Sequence, residues 1–406
     1  MNKQVLIHYG GYVLSSIGAL FGISLLSHIV PANIYGTIAL YIAVGTLFQT
    51  IVREALSNAL MRHALEIQQN KFIALNLVKT TQVPIVICFI AICLFCSFWV
   101  DAASFTELIL SFILILSLGC TVAGEAFLSA VLKRGAYAIH LNIIQWLRFP
   151  LAAIFFYYFK ASTSSILMGF ILAFIVAAIF DFIIWKSIKP HQPKQDINPL
   201  DFNIFSGYTP ILIGFFVWFT TFYDRLAIEK IHGADMLGIY FVLIQIAYMP
   251  VIVLMRASAN FLFPLLYSQN KKIINKKMIL IITSLFFSVW LFLQLTHQWI
   301  FSWLVGEQYR EYSWLLSWLF LAAVLNAVAY LFQARFYQAH TMKTLLLIRG
   351  MTALLHFGTV TLFAWLYAIE GLVFANVCAS IFLIVLSCYF GRSHKLIDPH
   401  DKGSVA

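Results

Sequence analysis

Charged side chains are scarce in this chain of 406 residues, of which only 10% are Asp, Glu, Lys or Arg. Hydrophobic residues make up 62% of the chain, against roughly 45–50% in soluble domains. Among the 16 acidic residues, no carboxylate pair or nucleophile–base arrangement stands out as catalytic. This composition argues against an enzyme. The formal net charge of +10 does not indicate a nucleic-acid partner, because most basic residues lie in short polar connections.

Cysteine and histidine are also few, and their spacing predicts no metal site. All six cysteines fall in apolar runs, so no disulfide framework is predicted. Cys93 and Cys96 have C-x-x-C spacing without nearby histidines, and we interpret them as inert small apolar residues. The histidines of the apolar segments lack i, i+4 spacing, and we interpret them as hydrogen-bonded polar residues rather than proton carriers: His28, His140, His297 and His356. No metal and no cofactor is predicted.

Long apolar segments account for most of the chain. A helix needs about 20 apolar residues to cross the hydrocarbon core of a bilayer, and about twelve segments have that length. We therefore predict an all-α polytopic membrane protein. The predicted spans are 10–30, 36–60, 80–100, 106–132, 138–159, 163–185, 207–229, 237–262, 279–300, 313–334, 344–367 and 370–391.

The basic residues divide unequally between alternate connections. Of the 26 lysines and arginines, 18 lie in connections on one side, and only Lys160, Lys230 and Arg310 lie on the other. Cytoplasmic loops of membrane proteins carry an excess of Lys and Arg. We therefore predict that both termini are cytoplasmic.

The longest hydrophilic connection, 186–206, divides the chain into two halves of six spans. We predict an N-terminal lobe at 1–190, a linker at 191–206, a C-terminal lobe at 207–391 and a cytoplasmic tail at 392–406.

The two halves also resemble each other weakly. A polar connection that ends in glycine precedes the second span of each half, and arginines follow at similar places. This pattern predicts a parallel repeat about an axis along the membrane normal. An offset of about 200 residues relates three pairs: Gly36 and Gly238, Arg53 and Arg256, and Arg148 and Arg349.

Five arginines lie within apolar spans: Arg53, Arg148, Arg225, Arg256 and Arg349. A guanidinium stays protonated in proteins, and placing one at the membrane centre costs at least about 2.5–3.5 kcal/mol. Several such residues therefore indicate a wet or paired interior that holds something anionic. The sequence predicts a carrier for a negatively charged or phosphate-linked solute, with these arginines as substrate-binding residues.

Five further residues are candidates for coupling or gating. Glu125, Asp181 and Asp224 are carboxylates within spans, and such carboxylates often mark ion paths. Pro150 and Pro250 each remove a helix hydrogen bond and permit a kink.

Several of these residues also have a structural interpretation. Arg53 either contacts substrate, extends toward the cytoplasmic headgroups or pairs with Glu54. Arg148 either lines a cavity or forms a structural ion pair with Glu125, which we expect at comparable depth in the antiparallel fourth span.

The remaining charged candidates lie nearer the span ends. Asp224 and Arg225 form either an outer gate or a solvated pair at the membrane interface. Arg349 and Asp181 are either functional or anchors at the membrane boundary.

Short motifs along the whole chain resemble those of the polysaccharide-transporter family. Segment 223–230 reads YDRLAIEK, 233–240 reads GADMLGIY, 263–266 reads FPLL, 34–36 reads IYG, and 305–309 reads VGEQY. Members of this family are lipid-linked oligosaccharide flippases within the multidrug/oligosaccharidyl-lipid/polysaccharide (MOP) exporter superfamily.

The resemblance implies two six-helix lobes around a central cavity, and alternating access. It implies that a polyprenyl-pyrophosphate-linked O-antigen or capsule repeat unit moves from the cytoplasmic to the outer leaflet of the bacterial inner membrane. The implied partners are that lipid-linked oligosaccharide, membrane lipids and other polysaccharide assembly proteins.

Two alternatives belong to other classes. One is a cation-coupled multidrug exporter of the same superfamily, although carboxylates rather than arginines suit cationic drugs. The other is a membrane polymerase or ligase of polysaccharide assembly, although such enzymes tend to carry a large outer loop and every predicted outer connection here is short.

Overall fold

The computed structural model describes residues 3–53, 85–97, 104–131, 133–188, 209–268, 276–338 and 342–393, with isolated positions at 56, 60 and 67. Within these ranges, some side chains are not described, including those of 3–8, 256–268 and 276–283. Every regular element in the described ranges is helical.

The first half contributes six described helices. Ser104 begins the fourth helix with a capping hydrogen bond, because its hydroxyl oxygen accepts from the backbone N–H of Glu107 at 3.2 Å. The helices are α1 (Lys3–Ile29), α2 (Ala32–Val52), α3 (Ile85–Ser97), α4 (Phe105–Ala130), α5 (Arg134–Tyr158) and α6 (Thr163–Ser187).

Two long helical stretches of the second half each contain one break. Thr209–Ser268 is interrupted at Gly233, which has φ 85° and ψ 177°, a conformation that glycine adopts without steric cost. Met342–Ser393 is interrupted at Tyr367 and Ala368. The second half is therefore α7 (209–232), α8 (234–268), α9 (Lys276–Leu304), a 3₁₀ helix (Glu307–Tyr312), α10 (Leu315–Gln338), α11 (342–366) and α12 (369–393).

These helices coincide with the predicted spans, the third of which is described only over Ile85–Ser97. Among the described residues, eight helices are long and apolar enough to cross a membrane. Two of them, Ile211–Ile252 and Met342–Gly391, have 42 and 50 residues and contain the breaks at 233 and 367–368. Each is about twice the length that one crossing requires. The prediction of an all-α polytopic membrane protein is confirmed, and about twelve spans fit this architecture.

Glycine allows α1 to pack closely against α5. A Cβ added at Gly18 would lie 2.7 Å from the indole nitrogen of Trp146, and one at Gly22 would overlap the ring of Phe149. The Trp146 indole N–H donates to the backbone carbonyl of Leu14 at 3.1 Å. Helix packing in membranes relies on such small residues, since lipid is as apolar as the side chains themselves.

The two halves meet where α2 packs against α8. A Cβ at Gly36 would overlap the carbonyl oxygen of Ala234, and a Cβ at Gly238 would overlap the carbonyl oxygen of Ala32. The same contact is thus made twice with the partners exchanged, which is the signature of a twofold axis. The reciprocal contact agrees with the parallel repeat predicted from the sequence.

The contact of Gly36 and Gly238 lies at the end of the helix bundle that also contains the turn at 30–31, Gly233 and the segment after α9. We call this end of the bundle the turn end. Here the backbone of Gly306 lies against Ser27. The Tyr309 hydroxyl and the side-chain amide of Gln308 both donate to the carbonyl oxygen of Val30 at 3.3 Å. The turn end therefore joins the two halves through side-chain and backbone contacts to the backbone of α1 and the turn that follows it. On the predicted topology it faces outward.

The predicted lobes are separated by a linker and followed by a tail. The linker at 191–206 and nearly all of the tail at 392–406 lie outside the described residues, so the lobe boundaries stay a prediction.

The helices α5 and α8 continue through Pro150 and Pro250. Right after Pro150, Gly169 of α6 lies against the backbone of Leu151 and Ala152.

Candidate functional site

A cavity of about 180 Å³ lies between the two halves. Its walls come from α2, α4, α5 and α6 on one side and from α7, α8 and α12 on the other. Among the residues that the structure describes, five charged ones line it: Arg53, Arg148, Arg225, Glu125 and Asp224. Three guanidinium groups therefore face two carboxylates.

Arg53 forms an ion pair across this cavity wall. It lies at the C-terminal end of α2, and its Nη2 donates to Oε2 of Glu125 in α4 at 3.0 Å. The Arg53 side chain is 29% exposed, against 10% for Glu125. The guanidinium is thus the more accessible partner.

Behind Glu125, a histidine and a second carboxylate extend the polar chain into the helix bundle. His140 of α5 is fully buried, and its Nδ1 lies 2.8 Å from Oδ1 of Asp181 in α6. Its Nε2 lies 3.9 Å from Oε1 of Glu125. Gly124 leaves room for the Asp181 carboxylate, which a Cβ at this position would overlap. The four side chains Arg53, Glu125, His140 and Asp181 follow one another from the cavity inward, with a gap of 3.9 Å between Glu125 and His140.

Arg148 lies eight residues after His140, on the same face of α5. Its guanidinium carbon lies 4.3 Å from the ring centroid of Phe149, within the range of a cation–π contact. Arg148 therefore adds a second positive charge to the wall formed by the first half.

Arg225 supplies the positive charge on the opposite wall. It is only 4% exposed, and its guanidinium carbon lies 4.1 Å from the ring centroid of Phe222 and 5.3 Å from that of Phe241. Its Nε and Nη1 find no acceptor among the described residues. The aromatic rings hold the guanidinium plane at the cavity while leaving these donors unused.

Asp224 is held by hydrogen bonds from three helices. Its Oδ1 accepts from the backbone N–H of Arg225 at 2.8 Å. Its Oδ2 accepts from the Tyr240 hydroxyl and, at 3.1 Å, from the side-chain amide of Asn376. Asp224 is 1% exposed, so the alternative of a solvated pair at the membrane interface is wrong for Asp224 and Arg225.

No family model and no curated protein sequence matches this chain, but solved structures do. A multidrug resistance MATE family transporter of the MOP superfamily, in an inward-facing conformation, matches with a TM-score of 0.64 and 13% identity over 99% of this chain and 100% of the other. An outward-facing MATE structure matches with a TM-score of 0.61 and 15% identity over 98% and 100%. The fold is that of a MATE transporter.

A third structure shares the MATE-like fold at lower similarity. It is a MOP superfamily transporter from Pyrococcus furiosus, described as having a binding pocket of reverse polarity that suggests a different function. The match has a TM-score of 0.52 and 14% identity over 98% of this chain and 100% of the other.

The other predicted site residues lie elsewhere in the MATE-like fold. Arg349 of α11 is 4% exposed and is not among the residues that line the cavity, so its role stays a prediction. Asp181, for which an anchor at the membrane boundary was the alternative, is buried against His140. The side chain of Arg256 lies outside the described residues, so its predicted partnership with Arg53 stays a prediction.

Three polar residues of the site were not predicted as functional. His140 shares a helix face with Arg148, and that spacing was a usable signal. Tyr240 belongs to the 233–240 motif that supports the family resemblance. Asn376 is a lone amide in an apolar span, and nothing in the sequence connects it with Asp224.

Proposed function

We propose that this protein is a flippase that carries a polyprenyl-pyrophosphate-linked oligosaccharide, such as an O-antigen or capsule repeat unit, from the cytoplasmic to the outer leaflet by alternating access. The excess of arginine in the cavity between the two halves carries this proposal. The two carboxylates of the cavity already accept hydrogen bonds from protein groups. A planar guanidinium donates parallel hydrogen bonds that match phosphate oxygens.

The cavity size agrees with recognition of the head group. Its volume of about 180 Å³ lies below the roughly 300–1,000 Å³ of typical ligand pockets. A pyrophosphate group suits this space better than a complete oligosaccharide does. In this proposal the sugars enter as the halves move apart, while the prenyl chain stays in lipid.

The MATE-like fold supports alternating access, because neighbours with this fold occur in inward-facing and outward-facing conformations. The same neighbours favour a second candidate, a cation-coupled multidrug exporter, since they are described as multidrug transporters. Three guanidinium groups in the cavity argue against a cationic drug. The Pyrococcus furiosus relative gives a precedent within this fold for connecting pocket polarity with a different function.

Deletion of the gene separates the two candidates. A flippase mutant should lose one surface polysaccharide and accumulate its prenyl-linked repeat unit on the cytoplasmic leaflet. A drug exporter mutant should keep the polysaccharide and become sensitive to cationic drugs. An intact surface polysaccharide in a deletion strain without a second flippase would refute the flippase proposal.

A further inference from the structure

Glu125 and His140 face each other without a hydrogen bond. Oε1 of Glu125 lies 3.9 Å from Nε2 of His140, and this nitrogen finds no partner among the described residues. Glu125 lies at the cavity in its ion pair with Arg53, and His140 is buried behind it in the helix bundle.

The second ring nitrogen explains this arrangement. Nδ1 of His140 lies 2.8 Å from Oδ1 of Asp181, and a carboxylate at this distance fixes the N–H of a neutral imidazole on Nδ1. Nε2 then carries a lone pair, and an ionised Glu125 offers only acceptors. Two acceptors face each other, and a single proton between them would create a hydrogen bond.

We propose that Glu125 and His140 form a proton-binding site that fills when an anionic substrate takes Arg53 away from Glu125. This inference rests on the proposed function, because it requires a pyrophosphate that competes with Glu125 for the guanidinium. Substrate and proton would then bind together, at neighbouring positions in the first half of the chain.

The charges balance in this exchange. Before binding, the positive charge of Arg53 neutralises Glu125. After binding, it neutralises a phosphate oxygen, and the carboxylate is left buried without its counter-charge, which favours its protonated form. The proton comes from water in the cavity, and the protonated Glu125 donates it to Nε2 of His140. Because linkage is reciprocal, a lower pH then strengthens anion binding.

The helices packed around His140 provide few other groups that could take this role. Asp181 faces it from α6 and Glu125 from α4, with Arg53 of α2 beyond Glu125. Tyr12 of α1 packs near the preceding turn, with its ring centroid 5.8 Å from that of Tyr137. On α5 itself, Arg148 lies about two turns away.

Isothermal titration of the purified full-length protein with inorganic pyrophosphate tests the proposal. Titrations in two buffers of different ionisation enthalpy report the protons exchanged on binding. Because pyrophosphate itself also exchanges protons, the wild type should take up about one proton more per pyrophosphate than Glu125→Gln does. Glu307→Gln is the matched control, because this carboxylate is 89% exposed and lies at the turn end, and it should behave as the wild type.

The pH dependence gives a second measurement. Over the pH range in which the wild type takes up this proton, its dissociation constant should rise about tenfold per pH unit, as linkage to a single proton requires. In Glu125→Gln the dissociation constant should lose this slope. Gly124→Ala should displace the Asp181 carboxylate from His140 and reduce proton uptake while pyrophosphate still binds.

The outcomes separate the two proposals. If the wild type and Glu125→Gln bind pyrophosphate with equal proton exchange, the proton site is wrong and the flippase proposal still stands. No binding of pyrophosphate to the wild type would count against the flippase itself.

Discussion

Arg225 is predicted to reduce the stability of the protein while supporting substrate binding. Its guanidinium is buried, and two of its nitrogens lack acceptors among the described residues. An unmet buried donor costs about 1–3 kcal/mol, so the two together cost at least about 2 kcal/mol. Stacking on Phe222 and Phe241 recovers about 0.5–2 kcal/mol, and attraction to Asp224 recovers part of the rest.

Replacing Arg225 with methionine should therefore raise the unfolding free energy by up to about 1 kcal/mol, because Asp224 keeps its hydrogen bonds with Tyr240 and Asn376. The same change should weaken pyrophosphate binding about ten- to a hundredfold, the equivalent of one charge-assisted hydrogen bond. Arg225→Lys should restore only part of the affinity, because an ammonium lacks the planar fork.

Thermal denaturation in detergent and pyrophosphate titration measure the two effects on the same preparation. Arg310→Met is a suitable control, because Arg310 lies at the turn end with a side chain that is 41% exposed. Arg53→Met provides a contrast: it removes the partner of Glu125 and should lower stability as well as affinity. If Arg225→Met is less stable than the wild type and binds pyrophosphate normally, Arg225 is structural and this reasoning is wrong.

Three further predictions concern the framework. Gly36→Ala should separate the halves at the turn end and lower both the melting temperature and transport. Gly135→Ala is the control and should change neither, because a Cβ at Gly135 would meet no atom within 4 Å. Equal effects of the two substitutions would disprove the close contact at Gly36. Ala368→Gly should raise the unfolding free energy by about 1 kcal/mol, because a φ of 47° strains a residue with a Cβ; a lower melting temperature would contradict this. A single cysteine at Lys160 should react with an impermeant thiol reagent from outside the cell, and one at Lys272, outside the described residues, only after permeabilisation. Labelling of Lys272 in intact cells would reverse the topology.

The span pattern could be predicted because it depends on local chemistry. A bilayer fixes the length of an apolar helix, so the apolar runs placed most of the described helices within a few residues of the observed bounds. The repeat was also visible, because a backbone contact as close as that of Gly36 and Gly238 requires glycine at both positions. A buried guanidinium needs a polar interior, and three of the five predicted arginines line the cavity.

The partners across helices could not be predicted in the same way. Helical periodicity assigns a residue to a face, but the neighbour of that face depends on how each helix is rotated and packed. The sequence suggested Arg148 as the partner of Glu125, and the structure places Arg53 3.0 Å from it. Asp181 and His140 are 41 residues apart, and neither of their two spans indicates by itself that these side chains meet.

The two halves combine a symmetric framework with asymmetric chemistry. The contacts of Gly36 and Gly238 repeat each other across a common twofold axis. The carboxylates near the cavity differ, however. Asp224 is fixed by neutral donors from Tyr240 and Asn376 and by a backbone N–H, whereas Glu125 depends on the charge of Arg53. An anion that competes for arginine therefore changes the electrostatic state of the first half and leaves Asp224 satisfied. In the proposed flippase, only the first half then responds to the charge of the substrate, while the other half provides a fixed wall.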